Sequence, residues 1–466
     1  MATIKHHSSA SPAPPRPRPN AQGLPVIQPD TAGIDIGATT LCAAVPSDRD
    51  THPVRTFSTF TAELHALAAW LLACGIRSVA MEATGGYWLP VFQVLAAAGL
   101  EVCLVNPRQL KHVSGRKTDV SDCQWLQHLH AVGLLTASFR PPDAICALRT
   151  LWRHRESLMQ QAAVQIQLMQ KSLDQMNLHL HHVLSDLAGA SGLRIVAAIR
   201  AGERDPCVLA KLRDPRVRAD EATVVAALTG DWRSEHLFTL LQAHQTFRHY
   251  HTLLAACDAQ IERWLVDHAS PPPPAPGGPA DAAPPAGKLP RNAVVLPTLD
   301  LRRELHARFG VDLTAVPALG LTTVAALHAE LGPDLGAFPT SKQFASWLAL
   351  CPDPRKSGGK VLRSHTRDVQ HRVARLFRQA AQSVCKSDNH LGQFYRRLRA
   401  KLGGPQAVTA TAHKLARIFY QLVTTQQEYD ESLFQRCDQD QRERHLTSVR
   451  RQAKKLGFTL EPLQVT

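Results

Sequence analysis

Hydrophobic and polar positions follow two different rhythms along this chain. Between about residues 30 and 145, short strand-length runs (Gly33-Ile34-Asp35-Ile36-Gly37, Arg77 to Glu82, Leu100 to Val105) alternate with helical patterns over Ala62 to Cys74 and Leu89 to Ala98. That rhythm predicts an α/β domain. From Ala144 the period changes: Ile166, Met169, Leu173, Met176 and Leu180 recur at steps of three and four, as along an a/d seam, and a second helical run covers Ser234 to His268. The two runs are expected to form a helical hairpin, which either builds an oligomer interface or packs within one subunit. From Leu299 onward the pattern is mostly helical, with turns marked by Gly320, Gly332, Gly336 and the Gly358-Gly359 pair, and it reads as a separate α-rich domain.

Two stretches rich in proline, the arm before about Gly23 and Ser270 to Gly287, cannot bury apolar surface and are expected to be flexible. The expected division is therefore an arm at 1–29, the α/β domain at 30–145, a helical coiled-coil region at 146–269, a linker at 270–298, a C-terminal domain at 299–435 and a basic tail at 436–466. The first twenty residues carry no apolar segment of the kind secretion needs, and no uncharged apolar run reaches the roughly 18–20 residues that cross a bilayer. The ten cysteines are scattered without a Cys-x-x-Cys pair, as reduced core residues would be. A soluble, cytoplasmic protein is expected, with no membrane partner. Charge then narrows the partner: 53 Lys and Arg against 39 Asp and Glu leave +14, which favours a polyanion, with nucleic acid ahead of a membrane surface.

Four acids stand out. Asp35 lies between two isoleucines on a predicted strand, so alternation sends it to the opposite face, and the flanking Gly33 and Gly37 would let a metal-bound phosphate approach the backbone. The Asp-x-Gly-x-Thr pattern is shared by ribonuclease H-like nucleases and by actin-like and sugar-kinase ATPases, and an edge-strand aspartate beside a turn would look the same. Glu82 ends a short buried strand just before Gly85-Gly86, where α/β sheets present groups to ligands; a helix-capping glutamate is the alternative. Asp119 and Asp122, three apart, open a predicted helix beside Arg116 and Lys117, either as ordinary capping acids or as a pair able to bridge magnesium. Together the four suit two divalent ions, Mg²⁺ or Mn²⁺, clamping a phosphodiester displacement. His179-Leu180-His181-His182 is placed late in a long polar helix and read as a solvated face, and no zinc site is expected.

The motifs Gly-Ile-Asp-Ile-Gly, Met81-Glu82-Ala83-Thr84-Gly85-Gly86-Tyr87-Trp88, Asn106-Pro107-Arg108-Gln109 and Gly115-Arg116-Lys117-Thr118-Asp119-Val120-Ser121-Asp122 resemble the DEDD transposases of the IS110 family, relatives of the Piv DNA invertase. The likeness continues through Ala315 to Gly320, Ala329 to Gly332, Phe338, Ser357-Gly358-Gly359-Lys360, Phe394 to Arg397 and Ala412 to Arg417. In place of the family's frequent Pro-Gly-Ile-Gly turn the chain has Pro317-Ala318-Leu319-Gly320, and its arm and linker are longer than usual.

This resemblance implies an α/β ribonuclease H-like (RuvC-like) N-terminal domain, a coiled-coil middle region and a mostly α C-terminal transposase domain. It implies the acidic quartet Asp35, Glu82, Asp119 and Asp122, and a serine nucleophile, Ser357, attacking a DNA phosphate to give a covalent phosphoserine. A noncoding bridge RNA would pair with donor and target DNA, and the enzyme would act as a dimer or tetramer in a bacterial cytoplasm, at the nucleoid. Read from the residues themselves, Ser357 sits on a loop among Arg355, Lys356 and Lys360, and would need help to lose its proton. From Arg355 to Lys401 thirteen Lys and Arg face only Asp368 and Asp388, an imbalance suited to a phosphate backbone. Arg363, Arg367, Arg372, Arg375 and Arg378 are candidates for lining a groove, and Arg116, Lys117, Arg355, Lys356, Lys360, Arg363, Arg396 and Arg397 for binding nucleic acid; Tyr395 is the second candidate hydroxyl. Rival readings are an actin-like or sugar-kinase-like ATPase built on Asp35, a RuvC-like nuclease in which water replaces Ser357, and a non-catalytic nucleic-acid binder.

Overall fold

The computed structural model describes residues 24–83, 85–107, 119–269, 294, 296–367 and 371–457. The arm up to residue 23, most of the proline-rich linker, Arg116 and Lys117 lie outside the described residues, as do the side chains of Asp119, Arg355 and Arg363. Packing divides the chain into two compact units, Met1–Arg140 and Pro141–Thr466.

The first unit is built on a mixed five-stranded sheet in the order β3-β2-β1-β4-β5. Its strands are β1 (Thr31–Ile36), β2 (Thr40–Ala44), β3 (Val54–Ser58), β4 (Ser78–Glu82) and β5 (Glu101–Val105), joined by helices α1 (Thr61–Ala73), α2 (Trp88–Ala97) and α3 (Asp119–Ala131). β1, β2 and β3 run as an antiparallel meander, and β4 and β5 continue the sheet parallel to β1. Side-chain size sorts the two faces. Ala32, Ile34, Leu41, Val79, Met81 and Leu104 pack with Leu64, Leu67 and Leu71 of α1 and Leu95 of α2 in one core. The other face offers small groups instead: Gly33, Cys42, Ala44, Ala80 and Cys103 alternate with those residues, and Cys42 and Ala44 pack against Cys123 of α3. The expected α/β character holds. The sequence rhythm does not mark the meander strands β2 and β3: β2 is buried but built of small residues after Leu41, and β3 is short and half-exposed.

The second unit is helical. Its two long helices, α4 (Asp143–Gln175) and α9 (Ser234–Asp267), pack antiparallel within the chain, as a buried ion pair between Arg155 and Asp258 at one level and a 2.9 Å contact of Ser172 Oγ with Thr239 Oγ1 at another require. Between them come the short helices α5 (Leu180–Val183), α6 (Ala190–Arg200), α7 (Pro206–Ala210) and α8 (Glu221–Ala227). These close over Leu173, Met176, Leu178, Ile195, Ile199 and Leu240 in a core of their own. The a/d seam is real through Met169 and Leu173, but α4 stops at Gln175: Asn177 turns into the left-handed region (φ 56°), and Leu180 and the histidine run fall beyond the helix rather than late within it.

The C-terminal helices belong to the same unit. They are α10 (Leu301–Phe309), α11 (Leu321–Leu331), α12 (Ser341–Trp347), α13 (Arg372–Ser383), α14 (His390–Leu402), α15 (Gly404–Thr425) and α16 (Glu431–Lys455), with a small hairpin of β6 (Arg355–Ser357) and β7 (Lys360–Arg363). Phe419 of α15 is the hub, 5.9 Å from the Phe309 ring, 6.1 Å from Phe344 and 5.7 Å from Phe377. Arg153 of α4 grips the buried Glu330 of α11 through two hydrogen bonds of 2.8 and 2.7 Å. Among the described residues, no helix is long and apolar enough to cross a membrane.

Candidate functional site

Register places the first two acids side by side. β1 and β4 pair from Thr31 with Ser78 through Ile34 with Met81, so the next step brings Asp35 level with Glu82 at the carboxyl ends of adjacent parallel strands. Neighbouring strands lie about 4.8 Å apart. Both acids are half-buried.

The direction of α3 decides where the other two fall. A β-carbon on Gly33 would lie 2.3 Å from both Cys123 O and Gln127 N, so the helix backbone rests directly on β1, on the face that Gly33 shares with Asp35. At the N-terminal side of this contact, Cys123 Sγ is 3.3 Å from Cys42 Sγ, and Cys42 is the cross-strand partner of Asp35. Toward the other end, His130 Nε2 is 2.8 Å from Ser78 Oγ at the start of β4. The helix therefore runs opposite to β1 and β4, and its first turn, with Asp119 and Asp122, lies at the sheet end that carries Asp35 and Glu82. Asp122 is half-buried. Burial, then the hydrogen bond with Cys42, pushes the Cys123 thiol well above the ordinary range, and the charge of Asp35 adds to the shift. A helix N-terminus carries partial positive charge, so it steadies anions at this end. Carboxylate oxygens are the donor set hard divalent cations take.

The glycines do not serve the purpose expected of them. The space beside Gly33 is filled by α3, and a β-carbon on Gly37 would lie 2.8 Å from Thr40 O in the β1–β2 turn. Both allow the protein to approach itself, rather than leaving room for a phosphate. That role is invisible in sequence because the partner of Gly33 is ninety residues away, at Cys123.

Ser357 belongs to the second unit and ends β6, not a loop: it pairs with Lys360 across a two-residue turn made by Gly358 (φ 55°) and Gly359 (φ 76°). Two successive left-handed residues make the tight hairpin turn that matches strand twist, and glycine adopts them without steric cost. Lys356, Ser357 and Lys360 are exposed, as are Val361 and Leu362 at 56% and 70%. Tyr395 is buried on α14, which removes it as a presented hydroxyl.

The candidate groove arginines divide. Arg372 and Arg375 share Glu156 of α4, at 2.7 and 3.7 Å, and Arg367 donates to Ser346 O. Arg396 donates to Ser387 O at 2.7 Å, while Arg397 lies over the Phe394 ring at 5.7 Å. Beside the hairpin a groove of about 1040 Å³ is lined by Ser364, His365, Phe394, His413, Lys414 and Arg417, among others. Burial, with Arg417 second, holds His413 below the ordinary histidine range. His413, Lys414 and Arg417 stand in the sequence only as part of a motif; the signal that places His413 and Arg417 together is their four-residue spacing on one helix face.

The chain matches the transposase model DEDD_Tnp_IS110 over residues 32–178, which contain Asp35, Glu82, Asp119 and Asp122. It also matches the model described as Transposase IS116/IS110/IS902 family over residues 312–396, which contain Ser357 and the hairpin. No match was found among curated proteins. With one model on the acid-bearing sheet and the other on the helices around the glycine-turned hairpin, the chain belongs to the IS110 family of DEDD transposases, enzymes that cleave and rejoin DNA for insertion sequences.

Proposed function

We propose that the first unit is a ribonuclease H-like (RuvC-like) catalytic domain and that Ser357 is the nucleophile of a DNA strand exchange. The observation that carries this reading is the gathering of Asp35, Glu82 and the first turn of α3 at one end of the sheet. The strand order, with an antiparallel meander leading into parallel strands and an acid on the central one, supports it. Ser357 Oγ attacks a DNA phosphorus; the Oγ–P bond forms, the bond to the leaving deoxyribose oxygen breaks, and the hydroxyl proton passes to a base as the leaving oxygen gains one. The reverse attack by a DNA hydroxyl rejoins strands and frees the serine.

DEDD transposases are in general divalent-metal dependent. Here Asp35, Glu82, Asp119 and Asp122 would hold two Mg²⁺ or Mn²⁺ ions, which would supply positive charge to a phosphate undergoing displacement. Lys356 and Lys360, exposed on either side of the turn, hold the phosphate backbone. Arg116, Lys117, Arg355 and Arg363 are assigned to the same backbone, and base reading is delegated to a bridge RNA. A dimer or tetramer in the bacterial cytoplasm is the working assembly.

The test is incubation of the full chain with element-end DNA, its flanking transcript and Mg²⁺, followed by denaturing separation. A protein–DNA adduct is expected, absent with chelator, in Ser357→Ala and in Asp35→Asn. Cleavage that proceeds without an adduct and is unaffected by Ser357→Ala would transfer the role of nucleophile to water.

A further inference from the structure

Past the last turn of α4 the chain carries three histidines that strand exchange does not use. Leu178 and Leu180 are buried at 0% and 1% exposure, while His179 and His181 beside them are half-buried. Their backbone is pinned. His179 N donates to Ala227 O at 2.8 Å, Asp231 N donates to Met176 O at 2.9 Å, and a β-carbon on Gly230 would meet Met176 O at 2.3 Å. One ligand atom from each of His179, His181 and His182 lies within 4.8 Å of the other two.

The protons on these rings are arranged to leave nitrogens bare. His179 donates from Nε2 to Asn177 Oδ1 at 2.8 Å, and its buried Nδ1 has no hydrogen-bond partner among the described residues. A neutral imidazole that has used its one N–H keeps a lone pair on the other nitrogen. His181 turns Nδ1 to Asp174 Oδ1 at 3.1 Å. An ionised carboxylate only accepts, so the proton sits on Nδ1 and Nε2 is left as a donor to a metal. The exposed His182 ring lies 5.0 Å from that of His179 and 4.2 Å from that of His181. A ring nitrogen held by an oxygen, with the other left open, is how metal-binding histidines are oriented.

We propose that His179, His181 and His182 form a three-imidazole site for a borderline divalent transition metal, zinc first among them, with solvent as the fourth ligand. Imidazole suits zinc, nickel and copper, whereas Mg²⁺ takes oxygen ligands, so this site does not draw on the ion used at the carboxylates. Zinc–nitrogen distances of about 2.0–2.1 Å in tetrahedral geometry set ligand nitrogens about 3.4 Å apart. The three ligand atoms lie within 4.8 Å of one another and would draw together to that spacing on binding. A bound ion would then clip the end of α4, through Asp174, to the start of α5.

The experiment uses the full chain with thiols reduced and Mg²⁺ in excess, titrated with Co²⁺ as a visible probe and Zn²⁺ as competitor. Expected are d–d absorption without a thiolate-to-metal band, saturation at a single equivalent, and displacement by Zn²⁺. His179→Ala and His182→Ala abolish it, and Asp174→Asn weakens affinity by about 10–100-fold. His182→Ala removes an exposed ring, and its circular dichroism should match the parent. Binding unchanged in these variants, a thiolate band, or no saturable uptake would each overturn the site.

Discussion

Asp35 sits on a strand covered on both faces, one by α1 and α2 and the other by α3, whereas Ser357 ends a strand whose neighbours Lys356 and Lys360 are open to solvent. The acid is held by packing that reaches ninety residues along the chain; the serine is held by the turn next to it. Positioning through a core is rigid and intolerant of change. Positioning through a glycine turn is local, so its residues can be altered with little cost to the rest of the unit.

The sharpest way to break this contrast is Gly33→Ala. A β-carbon 2.3 Å from the backbone of α3 forces helix and strand apart, and the cost is expected at or above the upper end of the about 1–3 kcal/mol typical of overpacking. Thermal unfolding should show a large drop in midpoint together with loss of cleavage. An unchanged midpoint would mean that α3 does not rest on β1.

Acid gives the next largest effect, and it belongs to the packed core of the second unit. His328 is almost fully buried against Phe309, and burial first, then the charge of Arg308, holds its pKa down to about 3, from an ordinary 6.5. The native state keeps it neutral while the unfolded chain protonates below 6.5. Stability from this group is therefore complete above about pH 6.5 and is lost as pH falls toward 3, by about 1.4 kcal/mol per pH unit. Between pH 6.5 and 5 that amounts to about 2 kcal/mol, read as a falling midpoint in urea melts and flattened in His328→Leu.

On the hairpin the effects shrink. Gly359→Val puts a branched side chain at a φ of 76°, which costs about 1–2 kcal/mol locally. It should reduce adduct formation while leaving the global midpoint nearly unmoved. Lys356→Ala and Lys360→Ala should change stability by no more than about 0.5 kcal/mol. Each should lower by about 1 the slope of log affinity for DNA against log salt. A slope that stays the same would take these lysines off the phosphate backbone.

Legibility followed the same divide. The strands carrying Asp35 and Glu82, and the helices Thr61–Ala73, Trp88–Ala97 and Ser234–Asp267, are readable within a residue or two, the strands as short apolar runs and the helices as longer apolar stretches. The end of α4 was not: Met176, Leu178 and Leu180 keep apolar spacing going, while Asn177 reverses the chain to meet Gly230 in the next segment. The hairpin looks like a loop in sequence, since two strands of three and four residues carry little pattern, although consecutive glycines are a hairpin signal. Which way α3 runs, and hence where Asp119 and Asp122 fall, is a long-range fact that spacing alone could not supply.

Every amino acid but one carries a branch at the α-carbon, so position 33 has no conservative substitute. In a saturation library screened for DNA joining, that codon should retain a single letter. A change at the hairpin's lysines would be felt only in the grip on DNA, whereas a change at position 33 would be felt in the fold itself.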